Sequence, residues 1–341
     1  MTEITSASVI HPGLLGRIVR VFVAIVVLLA LAGYIYQNIF EARARRFNAM
    51  PGKMVQLDHS SLSMHIDCTG EGTPTVILES GLGDSYISWR RTQPLIAKFT
   101  RVCSYDRAGI GYSGASSEAR TSGVFAKQLH TLLQGAGIAP PYVLVGHSLG
   151  GFDVRIFAKE HPQEVAGMVL VDSSHPDQQQ RLPVELKSME GTALREGEFL
   201  EFTMPFGIPR LLGLCDEDPE IRAAECNFHT MREAVKEMKA IPESARQTAA
   251  TGSLGDLPLL VLSHDPDKPS AELPPDLAKP TSDVWEKLQE ELAHLSSRGV
   301  QRIVKNSGHY IQIDQPTAVA DAVRDIITQV RSATGSSAAQ P

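Results

Sequence analysis

The sequence predicts an α/β protein with a mostly parallel sheet, helices on both faces of that sheet, and one transmembrane helix before it. Short apolar runs rich in β-branched residues, without polar alternation, are typical of strands that are buried on both faces. Helical patterns separate these runs, and strand–helix alternation favours parallel pairing. Residues 21–40 carry no charge and have the length of a helix that crosses a bilayer.

The composition is that of a globular chain and excludes several other classes of protein. The 341 residues are 43% hydrophobic and 21% charged, which does not fit a collagen-like chain, a disordered chain or a disulfide scaffold. The formal net charge is −7, so the bulk charge offers no basic surface for nucleic acid. We therefore expect no nucleic-acid partner.

The N-terminal segment, residues 1–46, is predicted to contain a transmembrane helix over about residues 18–40. Tyr34 and Tyr36 stand where aromatic side chains meet the membrane interface. A cleaved signal peptide is the alternative, because Ala42-Arg43-Ala44 fits the A-x-A cleavage pattern. The apolar run is long for a signal peptide and too close to the terminus for a buried core helix. An uncleaved single-pass membrane anchor is therefore favoured.

Two observations disagree about the side of the membrane on which the globular part lies. Two basic residues precede the apolar run and three follow it, which slightly favours the cytoplasm: Arg17, Arg20, Arg43, Arg45 and Arg46. Cys215 and Cys226 lie close together in one polar segment and form a sensible disulfide loop, which favours an oxidising compartment. Cys68 and Cys103 each end a predicted strand and are interpreted as buried free thiols. We expect an extracytoplasmic domain.

Beyond the anchor, a core is predicted in two parts, 47–172 and 257–331, with a helical cap at 173–256 between them and a disordered tail at 332–341. Strands are predicted at 76–78, 101–105, 142–145, 168–171, 259–262 and 301–304, and helices at 124–134, 152–160, 284–298 and 318–330. The cap interrupts the alternation, since it has no clear strand and its helical stretches are rich in Met, Phe and Leu. These side chains line an apolar substrate pocket or form the interior of the cap.

The sharpest signal for chemistry is Gly146-His147-Ser148-Leu149-Gly150-Gly151, which follows a predicted strand and precedes a predicted helix. In this context G-x-S-x-G predicts a sharp turn that exposes the Ser148 hydroxyl at the carboxyl edge of the sheet. The N-terminus of the next helix favours the negative charge that develops during acyl transfer. A glycine-rich turn without chemistry is the alternative. We interpret Ser148 as a candidate nucleophile and His147 as a packing residue.

Over about residues 54–331 the sequence resembles the α/β-hydrolase superfamily. Further motifs carry the resemblance: Ser80-Gly81-Leu82-Gly83, where relatives have H-G-x-G and Ser80 replaces the usual His; Asp106-Arg107-Ala108-Gly109-Ile110-Gly111-Tyr112-Ser113; and Gly308-His309-Tyr310 followed by Asp314-Gln315-Pro316. The resemblance implies the α/β-hydrolase fold, with a mostly parallel eight-stranded sheet, helices on both faces and a helical cap inserted after strand six.

The resemblance also implies a base and an oxyanion hole. A serine hydroxyl needs an adjacent base to act as a nucleophile at neutral pH, and His309 follows the last predicted strand in a glycine-preceded loop. A buried core histidine is the alternative for His309. The oxyanion hole is expected to be the backbone N–H groups of Leu82 and Leu149, and the use of backbone donors explains why the side chain at position 82 can be apolar.

Three aspartates are candidates for the acid of the expected Ser-His-Asp triad. Relatives usually place it after the seventh strand, where Asp265 and Asp267 stand. A subset of relatives takes it from the end of the sixth strand, where Asp172 stands. A proline-rich stretch follows the first pair, so the geometry of that loop differs from the family pattern.

Other motifs predict no cofactor. Residues 109–114 match G-x-G-x-x-G, but a polar stretch follows them instead of a helix, so nucleotide binding is not expected. Neither C-x-x-C nor H-E-x-x-H occurs, so no metal site is expected.

The resemblance implies a serine hydrolase, first of all a carboxylesterase that acts on an apolar ester through an acyl-enzyme. Proline-iminopeptidase-like cleavage and carbon–carbon bond hydrolysis remain alternatives with the same triad. A peptidase would need a carboxylate in the cleft to bind the substrate amine. The candidates for this carboxylate in the cap are Glu196, Glu198 and Glu201. A different class is also open, namely a receptor that kept the fold and lost turnover.

Overall fold

The computed structural model describes residues 12–47, 49–57, 61–268 and 273–337. Eight strands form one sheet in the order β1-β2-β4-β3-β5-β6-β7-β8. The strands are β1 (Lys53–Gln56), β2 (Ser63–Thr69), β3 (Thr75–Glu79), β4 (Val102–Tyr105), β5 (Tyr142–His147), β6 (Val165–Val171), β7 (Leu259–Ser263) and β8 (Gly299–Ile303). The β1–β2 and β2–β4 pairs are antiparallel and the other five pairs are parallel. The predicted mostly parallel eight-stranded sheet is therefore confirmed.

Twelve α-helices accompany the sheet over the described residues. They are α1 (Pro12–Phe47), α2 (Gln93–Ile96), α3 (Ser122–Ala136), α4 (Gly150–Glu160), α5 (Gln178–Arg181), α6 (Val184–Thr203), α7 (Ile208–Leu211), α8 (Pro219–Glu225), α9 (Phe228–Ala249), α10 (Pro275–Ala293), α11 (Ile311–Asp314) and α12 (Pro316–Ser337). Short 3₁₀ turns lie at Tyr86–Trp89 and Met204–Phe206. Helices α5 to α9 lie between β6 and β7, in the region predicted to be the cap.

The central strands are buried on both faces, and successive side chains enter two different cores. In β5, Leu144 packs in a cluster with Phe157 of α4, whereas Val145 packs in a cluster with Val323 of α12. Both strand residues are fully buried. Such strands need apolar residues at every position, which is why the sequence shows unalternated runs.

Helix α1 is longer than the predicted span, and it is long and apolar enough to cross a membrane by length and composition. Helix α12 continues to Ser337 and so includes residues 332–337 of the predicted disordered tail. Residues 338–341 lie outside the described residues.

Both cysteine pairs are disulfide-bonded. Cys215 and Cys226 are joined as predicted. Cys68 and Cys103 are also joined, so their interpretation as free thiols is wrong. The reason is the antiparallel pairing of β2 with β4, which sets Cys68 directly opposite Cys103. That pairing is a tertiary feature that strand-end positions alone do not reveal.

Removing the β2–β4 disulfide with Cys68→Ala and Cys103→Ala is expected to lower the free energy of unfolding by about 4 kcal/mol, because it closes a long loop in the unfolded chain. The sequence separation is 35 residues for this pair and 11 for Cys215–Cys226. The control is therefore Cys215→Ala with Cys226→Ala, with an expected loss of about 3 kcal/mol. Denaturant unfolding of the full chain in detergent measures both. An unchanged stability of the first variant would contradict the expectation.

Candidate active site

Four polar residues, three of them predicted from the sequence, lie where parallel strands end. Ser148 follows β5, Asp172 follows β6, His264 follows β7 and His309 lies in the loop after β8. Because the carboxyl ends of parallel strands meet at one edge of a sheet, these four side chains meet around one cavity of about 630 Å³.

The turn that carries Ser148 is tight, and its glycines are required by close backbone contacts. Ser148 has a φ of 49°, in the left-handed region that L-residues rarely adopt. A Cβ at Gly146 would lie 2.7 Å from the carbonyl oxygen of Gly150, and a Cβ at Gly151 would collide with the Ser173 hydroxyl. Glycines at these positions therefore let β5 turn directly into α4, which leaves the Ser148 side chain partly exposed.

The Asp172 carboxylate is the centre of the polar contacts in the cavity. Its Oδ2 lies 2.6 Å from Nδ1 of His309, and both of its oxygens lie 2.9 Å from Nδ1 of His264. Its Oδ1 also accepts hydrogen bonds from the backbone N–H of His264 and from Nε1 of Trp285. The carboxylate is fully buried and hydrogen-bonded on every side.

These contacts decide the charge of the buried acid. Burial by itself raises the pKa of Asp172, but the hydrogen bonds and charges of His264 and His309 outweigh burial and lower the pKa well below its usual range. Burial likewise opposes charging of His264, and the hydrogen bond to Asp172 nevertheless raises the pKa of His264 above its ordinary value. The site therefore holds Asp172 ionised.

The structure does not bring Asp265 or Asp267 to His309. Asp265 accepts hydrogen bonds from Nζ of Lys305 (2.9 Å) and from the backbone N–H of Asn306 (2.9 Å). Asp267 pairs with the same Lys305, and its side chain is 83% exposed. Both aspartates stabilise the loop between β7 and α10 against the β8 loop. Of the three predicted acids, only Asp172 lies beside the imidazole.

Leu82 and Leu149 lie on the two segments expected to form an oxyanion hole. Leu149 directly follows Ser148 at the start of α4, and Leu82 lies in the loop after β3. A buried arginine holds that loop: Arg107 donates to the carbonyl oxygens of Ser80 and Gly81 and forms ion pairs with Glu79 and Glu237. Glu237, which belongs to α9 of the cap region, also accepts a hydrogen bond from the backbone N–H of Gly83 at 2.9 Å.

Residues between β6 and β8 supply most of the cavity wall. Its apolar lining is Leu182, Leu186, Leu273, Ala278 and Trp285. The Met and Phe side chains of the cap, offered by the sequence as a pocket lining, are not among the lining residues that the structure describes. Phe199 and Phe202 are exposed and Met204 is buried against α1. Residues 275–280 of the proline-rich stretch after β7 form the first part of α10, and this helix covers one side of the cavity.

His147 packs, as expected for a residue beside the elbow. It is fully buried, its ring lies against those of His309 and Tyr310, and burial lowers its pKa. The turn that matches G-x-G-x-x-G wraps around the Asp106 carboxylate, which accepts from the backbone N–H groups of Tyr86 and Tyr112. A Cβ at Gly111 would collide with that carboxylate. The glycines therefore have a structural role there.

Within the described ranges, one group offers three metal-ligand atoms within 4.8 Å of each other: His130, His161 and Glu164. It lies on α3 and at the end of α4, away from the cavity. The two imidazole rings are stacked, with centroids 3.7 Å apart and planes 11° apart. Ring nitrogens in parallel planes do not converge on one tetrahedral ion, so this arrangement does not favour a metal centre.

Three side chains at the site escaped the sequence reasoning. His264 stands directly after β7 and contacts Asp172, a position at the carboxyl edge that could have drawn attention to it. Trp285 on α10 and Glu237 on α9 reach the site from helices far along the chain. Helical patterns do not reveal which face meets a distant loop, so no sequence signal identifies these two.

Comparison with known proteins agrees with this fold. A family model described as the alpha/beta hydrolase fold matches residues 74–201. The protein YqjL of Bacillus subtilis is 29% identical over 260 residues, which is 75% of this chain and 85% of YqjL. A protein of Gibberella zeae named as a member of the AB hydrolase superfamily is 28% identical over 283 residues, 76% of this chain and 87% of its own length.

Among solved structures, a thermophilic esterase from Thermogutta terrifontis superposes with a TM-score of 0.58 and 21% identity, over 82% of this chain and 98% of that one. This likeness shows the fold alone. Together with the sheet order and the match of residues 74–201 to the family model, it supports the α/β-hydrolase fold for this chain. The chain is therefore similar to the α/β-hydrolase superfamily, and an esterase is among its structural neighbours.

The pH dependence of stability tests the ionised state of Asp172. Because its pKa is lower in the folded protein than in the unfolded chain (about 4), its charge stabilises the fold above about pH 4, and this contribution is lost as the pH falls further. We expect Asp172→Asn to show a shallower loss of stability between about pH 5 and pH 3 than the unsubstituted chain. Asparagine tolerates the left-handed φ of 42° at this position.

The measurement is the free energy of unfolding at several pH values, with Asp267→Asn as the exposed control. Parallel profiles for Asp172→Asn and the unsubstituted chain would contradict a strongly lowered pKa at Asp172.

Proposed function

We propose that this protein is a membrane-anchored serine hydrolase, most specifically a carboxylesterase for esters with an apolar part. The observation that carries the proposal is the convergence of Ser148, on a strained turn, with a histidine whose Nδ1 lies 2.6 Å from a buried, ionised aspartate. Such a constellation is recognised by geometry and roles, and it serves acyl transfer on many folds.

The proposed reaction proceeds in two halves. Oγ of Ser148 attacks the carbonyl carbon of the ester while Nε2 of His309 takes the hydroxyl proton. Nε2 is assigned this role because the other ring nitrogen, Nδ1, faces Asp172. The carbonyl oxygen becomes an oxyanion that accepts from the N–H groups of Leu82 and Leu149. Collapse expels the alcohol, which receives the proton from His309, and leaves an acyl-Ser148. Water then attacks with His309 as base and releases the acid and free Ser148.

Two features of the cavity favour an ester over an amine-bearing peptide. The lining surface is mostly apolar, and its charged groups other than the proposed triad acid, Lys268 and Asp314, are paired with each other at 3.0 Å. The glutamates that a peptidase reading needs do not line the cavity in the described part of the chain. Glu198, for example, pairs with Lys239 on the outside of the cap. The esterase among the structural neighbours adds support.

The anchor and its orientation belong to the same proposal. Helix α1 supplies a span of membrane length, and the two disulfides favour an oxidising compartment for the domain that follows it. We infer a single-pass protein with its hydrolase domain outside the cytoplasm. The distribution of basic residues around the apolar run is the weaker argument, because the cytoplasmic side is favoured by a difference of only one residue.

A non-catalytic receptor is the proposal of a different class. The tight glycine contacts around Ser148 and the ionised Asp172 favour an enzyme, because a binding module has no need for a strained serine or for an imidazole held by a carboxylate.

Ser148→Ala is expected to abolish hydrolysis of p-nitrophenyl esters, by about 10³-fold or more, and to abolish labelling by a fluorophosphonate probe. The matched control is Ser282→Ala, a second serine that lines the same cavity without touching Asp172 or His309. It should keep activity within about threefold. Labelling of Ser148 without turnover of any ester would redirect the search to amides or carbon–carbon bonds. A chain that neither labels nor hydrolyses would favour the receptor.

Asp172→Asn is expected to lower kcat for the best p-nitrophenyl ester by about 10⁴-fold, because His309 loses the group that fixes its tautomer. Asp265→Asn and Asp267→Asn are the matched controls and should retain kcat within about threefold, since both face Lys305. Circular dichroism establishes that the three variants are folded. A large loss of kcat in either control with little loss at Asp172 would reassign the acid.

A further inference from the structure

The surface of α1 changes character along its length. Over residues 13–29 nearly every side chain is exposed, as expected for a segment surrounded by lipid. From Gly33 onward one face is covered, and the covered positions recur at helical spacing: Gly33, Tyr36, Gln37, Phe40, Glu41 and Ala44. The second half of the helix is therefore packed against protein.

The packing partner is the cap region around residues 204–226. The backbone of α1 at Gly33 approaches the carbonyl oxygen of Phe206 so closely that a Cβ would collide with it. One turn later the buried Gln37 donates to the carbonyl oxygen of Cys226 at 3.4 Å and contacts Sδ of Met204. The guanidinium of Arg210 lies 5.3 Å from the centre of the Phe40 ring. These contacts fix the height of the cap along the helix.

That height lies within the uncharged part of the helix. The uncharged run covers residues 21–40, about the length required to cross the hydrocarbon of a bilayer. The cap already covers one face over residues 33–40, which is about 12 Å of helix. The exposed part of the helix before this contact, residues 13–32, is itself about 30 Å long and can fill the hydrocarbon, and the cap residues beside Gly33 and Tyr36 then lie at the depth of the membrane interface.

The cap carries large apolar side chains next to this contact. Phe202, Leu211, Leu212 and Leu214 are 73%, 66%, 62% and 59% exposed. The Phe202 ring lies 6.2 Å from the ring of Phe206, the residue that touches Gly33. Adjacent exposed apolar side chains of this size mark an interaction surface. The acidic residues Asp216 and Glu217 follow, which limits the apolar surface to residues 202–214.

We propose that residues 202–214 form a second membrane contact, in which Phe202, Leu211 and Leu212 enter the interface of the leaflet from which α1 emerges. The inference rests on the proposed membrane anchoring of α1, because that helix supplies the reference height. The lipid surface is favoured over a protein partner because Phe206, the neighbour of the Phe202 ring, touches α1 at Gly33, where the exposed apolar part of that helix ends. The Cys215–Cys226 disulfide ties the end of this segment to the start of α9, which keeps it against the helix.

The test uses the full chain in phosphatidylcholine vesicles, with a single engineered cysteine labelled by the environment-sensitive fluorophore NBD. The four native cysteines are disulfide-bonded and do not react. Leu212→Cys reports on the proposed contact and Leu29→Cys on the span. Val300→Cys, 50% exposed on the edge strand β8, is the matched apolar control. Hydrolysis of a water-soluble p-nitrophenyl ester by each labelled protein is measured separately.

Lipids with a shallow doxyl group are expected to quench the label at position 212 about twofold, with little effect at position 300. Deep doxyl groups should quench the label at position 29. Quenching at 29 without quenching at 212 would overturn the membrane contact and leave the anchor intact. Absence of quenching at 29 would overturn the anchor, and the inference with it. Self-quenching at 212 that depends on protein density, without lipid quenching, would overturn the proposal in favour of a second copy of the chain.

Discussion

The buried carboxylate of Asp172 is the interaction on which the geometry of the site depends. It joins four separate segments, because it lies at the end of β6 and binds the backbone and side chain of His264 after β7, Trp285 on α10 and His309 after β8. An isolated carboxylate would be costly to bury, but this one is surrounded by donors that favour its charged form. Its partners thus hold the imidazole of His309 at a fixed place above the sheet edge.

His264 gives this site a feature that a simple serine–histidine–aspartate arrangement lacks. One carboxylate contacts two imidazoles, and the pKa of His264 is raised by the contact. Protonation of His264 places a positive charge beside the proposed acid, which weakens the attraction of that acid for the charge that develops on His309.

A second buried network connects the core with the cap. Arg107 follows β4 and binds Glu79 at the end of β3, while its other side binds Glu237 on α9. Arg120 also contacts Glu237, and these two guanidinium groups outweigh burial and lower the pKa of that carboxyl. Because Arg107 and Glu237 also bind the backbone of Ser80, Gly81 and Gly83, the loop proposed to stabilise the oxyanion is fixed by the docking of α9. A shift of the cap helix α9 would therefore also shift the loop after β3.

The sequence by itself determined the sheet, the long apolar helix and the glycine-flanked turn at Ser148, because each rests on a local pattern. Unalternated apolar runs define buried strands, an uncharged run of membrane length defines α1, and close backbone contacts require the glycines around Ser148. The predicted base, His309, was identified from a loop motif in the same way. These signals lie within a few residues of one another along the chain.

Only the tertiary structure decided which aspartate meets His309, how Cys68 is paired, and what the apolar side chains of the cap do. Spacing along the chain did not separate Asp172 from Asp265 and Asp267, because all three lie near strand ends and only the path of the loops brings one carboxylate to the imidazole. Cys68 meets Cys103 through the register of an antiparallel pair. Phe202 and Leu212 point outward beside α1 because helix packing, which a single helical pattern does not encode, assigns the faces.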